Sequence, residues 1–338
     1  MNTFAIITSL FIFFNTAIIL NFKYISKKIS IYDKPNNRKI HKKNTPTIGG
    51  VIILLNIFLY SLLFFFINEI EIEILNFFVK KINYYLFLFT ILIIFLLGIY
   101  DDKKNLTPNI KLFIFSIIIL ILICLDEQII LSELKFSFKK NIISLNKYSY
   151  LFTILCFLLF INACNMFDGI NAQSASFCII FIIFLIQITH FNYFLTILFI
   201  SLISFLYLNY SGKIFLGNNG IFILAFIFSY ISIKLYNNKS IEYADTIFTI
   251  MMIPGFDMLR LFIQRLYNKK HPFYGDKKHL HHLILNSLGF QKTILLLITY
   301  LMTPVALLKI GFPNITIIFF NILIYVFLIV IFCKKKFK

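Results

Sequence analysis

Residues 82–111 read INYYLFLFTILIIFLLGIYDDKKNLTPNIK. Positions 82–100 carry no charge, and roughly 20 apolar residues in α-helix cross the ~30 Å core of a bilayer. The run stops at two adjacent aspartates, Asp101 and Asp102. A basic pair and a proline turn follow, then a second apolar run into which Lys111 is set. An apolar run closed by a short polar patch is the pattern of the whole chain. Such runs fall at 3–22, 48–67, 82–100, 109–125, 148–163, 173–189, 191–209, 219–235, 243–264, 291–310 and 315–333. They predict an all-α, polytopic integral membrane protein of about eleven transmembrane helices, organised as one transmembrane domain over 1–338.

Composition agrees. Of 338 residues, 60% are hydrophobic and 14% charged, and the mean hydropathy of +0.88 lies outside the range of soluble globular chains. No basic residue precedes the first run and no small-residue cleavage site follows it, so it reads as a spanning helix rather than a cleaved signal. The five cysteines form no CxxC or Cys/His spacing and read as structural thiols. A net charge of +18 would suggest nucleic acid in a soluble protein. Here the enrichment of cytoplasmic loops in Lys and Arg explains it, and no nucleic-acid partner is expected.

The same charge rule sets sidedness. Lys23, Lys27, Lys28, Lys34, Arg38, Lys39, Lys42 and Lys43 follow the first run, which places that loop inside, the N-terminus outside and the C-terminus in the cytoplasm. With eleven crossings, 23 of the 32 basic residues fall inside with six acidic ones, and nine fall outside with eight. The topology that satisfies the charge rule also gathers five polar patches on the cytoplasmic face. They are Asp33–His41 with Pro46–Gly50, Asp101–Lys111, Asn162–Asn171, Phe215–Gly220 and Asp257–His282.

Each patch has a chemistry. Adjacent carboxylates at a membrane boundary repel and lose hydration, so Asp101 and Asp102 favour a divalent or cationic partner. Lys111, a turn into an apolar run, calls for a polar cavity or an anion. Asn162-Ala-Cys-Asn165-Met-Phe-Asp168-Gly169-Ile-Asn171 supplies carboxamides and a carboxylate suited to a nucleobase or sugar. A helix C-cap with an Asx-turn explains its Asn and Gly but not two Asn leading into Asp. Three ligands within four residues do not match zinc spacing in His279-Leu-His281-His282. Imidazoles near Arg260, Arg265, Lys277 and Lys278 suit a diphosphate better. The basic loop with Lys42 suits an anionic headgroup, whether of substrate or of membrane lipids.

In this order, the patches resemble the polyprenyl-phosphate N-acetylhexosamine-1-phosphate transferases, glycosyltransferase family 4. The likeness runs from Asp33 to about Leu285, and Pro272-Phe with His279-Leu-His-His282 is similar to the N-acetylglucosamine-type branch. The resemblance implies transfer of a sugar 1-phosphate from a UDP-N-acetylhexosamine to a polyprenyl phosphate, with release of UMP and a requirement for Mg2+, Mn2+ being an alternative. It implies Asp101, Asp102 and Asp168 as catalytic residues. Lys42, Lys111, Asn165, Asn171, Arg265, His279, His281 and His282 would bind substrate. Asp101, Asp102 and Asn218 stand at the metal positions. One position departs: Phe215-Leu-Gly-Asn218-Asn219-Gly220 is similar to a segment that carries a metal-binding Asp where this chain has Asn218. A neutral amide is the weaker ligand. Asn171-Ala-Gln173 also departs from the usual continuation.

The expected reaction is attack by the lipid phosphate oxygen on the sugar-linked phosphorus. A carboxylate general base ranks second to metal binding and positioning, because a phosphate monoester with a second pKa of about 6 is already largely a dianion, while a carboxylate near 4 is a poor base for it. Two other readings are a binding-only homologue impaired at Asn218 and a transporter of a lipid-linked substrate. No internal repeat favours the transporter. Coding bias toward Phe, Ile, Lys and Asn points to a bacterial inner (plasma) membrane and to a surface polysaccharide, lipopolysaccharide O-antigen or cell-wall pathway. A homodimer is left open.

Overall fold

A computed structural model of the chain describes residues 3–33, 35, 43–272 and 276–334. The fold is nearly all α. Thirteen helices run in the order α1 (Thr3–Ile29), α2 (Gly49–Leu63), α3 (Asn68–Phe78), α4 (Lys81–Lys104), α5 (Pro108–Leu125), α6 (Ser149–Phe167), α7 (Gln173–Ile186), α8 (Asn192–Tyr210), α9 (Gly217–Asn237), α10 (Ala244–Tyr267), α11 (Leu280–Leu288), α12 (Phe290–Ile310) and α13 (Asn314–Lys334). Among the described residues, nine helices are long and apolar enough to cross a membrane, or ten if α2 and α3 count as one span. The protein is therefore multi-pass.

Every apolar run of the sequence is helical, but three elements differ from the simple pattern. The run at 48–67 ends early, and the next helix leaves it at 108°. Helix α7 has 14 residues, about 21 Å of helix against a ~30 Å hydrocarbon core. Two antiparallel two-stranded ribbons interrupt the helices: β1 (Tyr32–Asp33) with β2 (Thr45–Pro46), and β3 (Glu133–Phe136) with β4 (Lys139–Ser144).

The chain divides into two compact units, residues 1–127 with 181–227, and residues 128–180 with 228–338. Within the first, α8 packs against α1 and α2. A buried amide pair ties α1 to α2, Asn15 Nδ2 donating to Asn56 Oδ1 at 2.7 Å. Glu73 of α3 is buried and sits at the start of α8, where it accepts the Tyr193 N–H at 2.8 Å, the Phe194 N–H at 3.1 Å and the Tyr60 hydroxyl at 3.1 Å. A carboxylate there meets otherwise orphaned helix N–H groups and the positive end of the helix dipole. The bend after α2 brings Glu73 into this role.

Within the second unit, α6 and α13 pack on α10, and α11 lies against α12 and α13. The β3–β4 ribbon is anchored by Ser137 N donating to Asp245 Oδ1 at 2.8 Å and by Lys135 N donating to Tyr236 OH at 2.7 Å. Helix α9, whose residues 217–227 belong to the first unit and the rest to the second, is largely apolar, and its residues are buried from Asn219 to Tyr236, as the want of a broad polar face requires.

Replacing Glu73 by Ala strands the buried Phe194 N–H, the half-buried Tyr193 N–H and the Tyr60 hydroxyl. The expected loss is about 2 kcal/mol or more, read as a lowered thermal midpoint in detergent. Glu69→Ala, at an exposed position of the same helix, is the control and should shift stability by less than about 0.5 kcal/mol.

Candidate active site

The acidic pair lies in the last turn of α4. Asn105 ends that helix in the left-handed conformation, φ 52°, and Pro108 starts α5 at a position where its missing N–H costs nothing. This tight junction places Lys111 in the first turn of α5, its Nζ 2.6 Å from Asp101 Oδ2. Asp101 is fully buried, and its Oδ1 accepts the Leu106 N–H at 2.8 Å. The segment before α9 runs beside β2 and the start of α2, with Phe215 N donating to Pro46 O at 2.8 Å and Gly49 N to Phe215 O at 3.1 Å. It presents Asn218 and Asn219 to the aspartates. Asn218 Nδ2 donates to Asp101 Oδ2 at 2.7 Å and its backbone N–H to Asp102 Oδ1 at 2.9 Å. Asn219 Nδ2 donates to Asp102 Oδ2 at 2.5 Å. The close approach needs Gly98, because a Cβ there would lie 2.4 Å from Asn219 Cα.

Magnesium asks for several oxygen ligands, with carboxylate charge, at about 2.0–2.1 Å. All four carboxylate oxygens of the pair already accept N–H donors, one of them the Lys111 ammonium. Asn218 turns amide hydrogens, not oxygen, toward Asp101. The trio Asp101, Asp102 and Asn218 does not fit a resident divalent ion in this arrangement, and no step is derived through one.

The second unit holds the remaining candidates. Asp168 follows the last residue of α6 and accepts Ser174 Oγ at 2.6 Å. Asn165 lies one turn earlier and is partly exposed, as is Asn171 in the turn before α7. His281 is buried, with its Nδ1 3.1 Å from Gln173 Nε2. Gln173 thus occupies Nδ1 and leaves Nε2 as the ring's second polar atom. That Nε2 is buried without a hydrogen-bond partner among the described residues and points at Gly169, where a Cβ would stand only 1.9 Å away. The glycine of the Asp168-Gly169 step is thus required by the histidine.

Asp257, inside α10, organises the His segment. Its Oδ2 pairs with His279 Nδ1 at 2.7 Å. Its Oδ1 accepts Arg260 at 2.7 Å, Tyr325 OH at 3.0 Å and the Leu280 N–H at the start of α11 at 3.1 Å. The imidazoles of His279 and His281 stack with centroids 5.2 Å apart. One donor atom each from Asp257, His279 and His281 lies within 4.8 Å of the others, a separation a metal can use. Yet Asp257 has its acceptors filled and a guanidinium against it, which supports the expectation of an anion rather than zinc. Arg265 is buried and fixed to Asp276 Oδ2 at 3.2 Å and to Pro272 O at 2.8 Å. It holds the approach to His279. Lys42 lies outside the described residues.

Burial, reinforced by the neighbouring charges of His282 and His279, lowers the pKa of His281 well below that of an ordinary imidazole. Burial lowers His282 to about 4, with help from His279 and Lys277. Both rings are neutral donors near neutrality. Asp276 is pushed up by burial, but the Arg265 hydrogen bond and the Lys278 N–H outweigh this and leave it below the usual carboxylate value.

Asp257, which the sequence places only at the head of its patch, and Tyr325, which it does not mark, are the residues that hold the His segment. The Asp257–Arg260 spacing, one helical turn, was a visible signal for the first. Tyr325 sits in an apolar run with no charged residue and carries none. Gln173, in contrast, was noted only as a departure from the usual continuation, and it holds His281.

Fold and site define a multi-pass helical membrane protein with a donor-saturated acidic pair in one unit and, in the other, an imidazole cluster in which His281 and His282 are neutral. The model for "Glycosyl transferase family 4" matches residues 84–236. A Thermotoga maritima protein named undecaprenyl-phosphate alpha-N-acetylglucosaminyl 1-phosphate transferase is 26% identical over 289 residues, 85% of this chain and 83% of its own. The protein of that name from Escherichia coli (strain K12) is 24% identical over 86% of this chain and 77% of its own. A Bacillus subtilis protein, named as a probable undecaprenyl-phosphate N-acetylglucosaminyl 1-phosphate transferase, is 25% identical over 82% and 76%. The resemblance read from the motifs therefore holds, and family and names indicate a glycosyl 1-phosphate transferase.

The lowered pKa of His282 carries a stability consequence. Its neutral form is favoured by the fold, so the contribution is complete above the unfolded value of about 6.5 and is lost as pH falls toward 4. The thermal midpoint should fall between pH 6.5 and pH 4, and His282→Gln should flatten that dependence. An unchanged slope in the variant would contradict the assignment.

Proposed function

We propose that the protein transfers an N-acetylhexosamine 1-phosphate from a UDP-sugar to a polyprenyl phosphate and releases UMP. The carrying observation is the His281 Nε2, buried without a partner among the described residues and packed against Gly169, the residue after Asp168, in a chain whose relatives bear the corresponding name over more than four fifths of its length. An unpartnered buried ring nitrogen next to a carboxamide and carboxylate turn suits the phosphate and nucleoside parts of a nucleotide sugar.

In the reaction, a lone pair on the lipid phosphate oxygen forms a new bond to the sugar-linked phosphorus. The bond from that phosphorus to the bridging oxygen breaks, and its electron pair leaves with UMP. The attacking phosphate is largely a dianion at neutral pH, so no carboxylate base is required. Lys111, partly exposed at the acidic pair, is assigned to the lipid phosphate, and the pair fixes the ammonium. His281 and His282, neutral donors, are assigned to the diphosphate, with Asp257 holding His279 in line. Asn165, Asp168 and Asn171 are assigned to the nucleotide. Hydrogen bonding to developing charge from prefixed donors is the main physical route of phosphoryl transfer open to these side chains.

The charge sorting of the loops supports an N-terminus outside and these residues on the cytoplasmic face of a bacterial inner membrane, on a topology in which the short α7 completes a crossing. The product, a lipid-linked sugar diphosphate, suits initiation of a surface polysaccharide.

The test is UMP release by purified protein supplied with undecaprenyl phosphate and a panel of UDP-N-acetylhexosamines. Asp101→Asn and Gly169→Ala should each lower turnover by at least about a hundredfold, the first by releasing Lys111 and the second by expelling His281. Absence of UMP from every UDP-sugar, under conditions that activate a related transferase, would remove the enzymatic reading and leave the binding-only one.

A further inference from the structure

We propose that Asn218 takes the place of a divalent cation in holding the acidic pair together, so that this chain assembles its Asp101–Asp102 cluster without a resident metal ion. Asp101 is fully buried, and its Oδ2 lies 2.7 Å from Asn218 Nδ2. A carboxylate at position 218 would set a second acceptor against that oxygen. Two carboxylate oxygens at such a distance repel unless a proton or a cation stands between them. The amide brings the hydrogen itself. Asn219 repeats the arrangement on Asp102, its Nδ2 2.5 Å from Oδ2, and the backbone N–H of Asn218 closes the other oxygen at 2.9 Å.

Charge points the same way. The cluster holds two carboxylates against the Lys111 ammonium, and the amide adds no charge. An aspartate at 218 would add a third carboxylate and a strong reason to bind a cation. Asn218 is thus a positioning residue and the determinant of metal affinity here. Its geometry is also specific: the segment bearing it is pinned by backbone bonds to Pro46 and Gly49, and Gly98 admits Asn219 at a distance no side chain would allow. The inference does not rest on which group is transferred, because it concerns ion binding and stability.

The experiment uses the full chain in nanodiscs. Mn2+ binding is followed by the electron paramagnetic resonance of the free ion, and thermal unfolding is followed in EDTA and in MgCl2. Wild type should bind no stoichiometric Mn2+ that Asp101→Asn removes, and should unfold at the same temperature in both buffers. Asn218→Asp should gain one Mn2+, at least about tenfold tighter than any wild-type binding, and should be stabilised by MgCl2. Asn218→Ala should lose stability equally in both buffers and gain no ion. One tight Mn2+ in wild type, abolished by Asp101→Asn, overturns the proposal, as does a folded Asn218→Asp with no gain in ion binding. Should Asn218→Asp fold only when prepared in MgCl2, the proposal stands; should it fold in neither buffer, the wild-type arm decides alone.

Discussion

A carboxylate removed from water must find its donors inside the protein, and α4 ends on two of them side by side. Leaving one buried and unpaired costs about 3–5 kcal/mol, so the surrounding elements of the first unit are set by the need to meet them. The left-handed Asn105 turns the chain so that the Leu106 N–H reaches Asp101. Pro108 starts α5 where Lys111 returns to the same carboxylate. The Phe215–Gly217 segment is fixed on β2 and α2 so that Asn218 and Asn219 arrive as donors. Sequence, turn geometry and side-chain chemistry answer to one electrostatic constraint.

The second unit solves the complementary problem. Asp257 is a buried carboxylate in the interior of a spanning helix, and it is satisfied by His279, Arg260, Tyr325 and the first N–H of α11. Those partners come from α10, α11, α13 and the turn between α10 and α11, so one carboxylate aligns three helices. Its neighbours His281 and His282 escape charge instead of neutralising it. Burial beside other cationic groups keeps both rings deprotonated, which makes them directional donors rather than mobile charges.

What the sequence made legible was what depends on local pattern. Apolar runs predicted helices, and each became one, because an amide backbone in lipid has little alternative. The junctions around Pro108 and the Asn165–Gly169 turn were readable from Pro, Asn and Gly. What was not readable depended on long-range pairing. The turn from α2 into α3 contains neither Pro nor Gly (Phe64–Ile67), and its direction follows from Glu73 meeting the start of α8, over a hundred residues later. The short α7 has the composition of a spanning helix and lacks only length. Tyr325 lies 68 residues from Asp257 in a run where every aromatic looks alike. Asn218 was visible as a substitution, but the orientation of its amide toward Asp101, which decides its effect, was not.

That orientation links the two solutions. A site prepared for a highly charged ligand can be preassembled with bare charges or with neutral donors. Bare cations near buried carboxylates collapse into ion pairs and must be pulled apart when the ligand arrives, at a desolvation cost. Neutral amides and imidazoles keep their geometry whether or not the ligand is present, and the anion then supplies the charge that strengthens each hydrogen bond. Asn218 and Asn219 give their N–H groups to the acidic pair itself, and under the proposed function His281 is a donor of the second kind. Lys111 is paired with a carboxylate that the Asn218 amide has already half satisfied. Its hold on that carboxylate is weaker than an isolated ion pair would be, and a phosphate competing for the ammonium meets a smaller barrier.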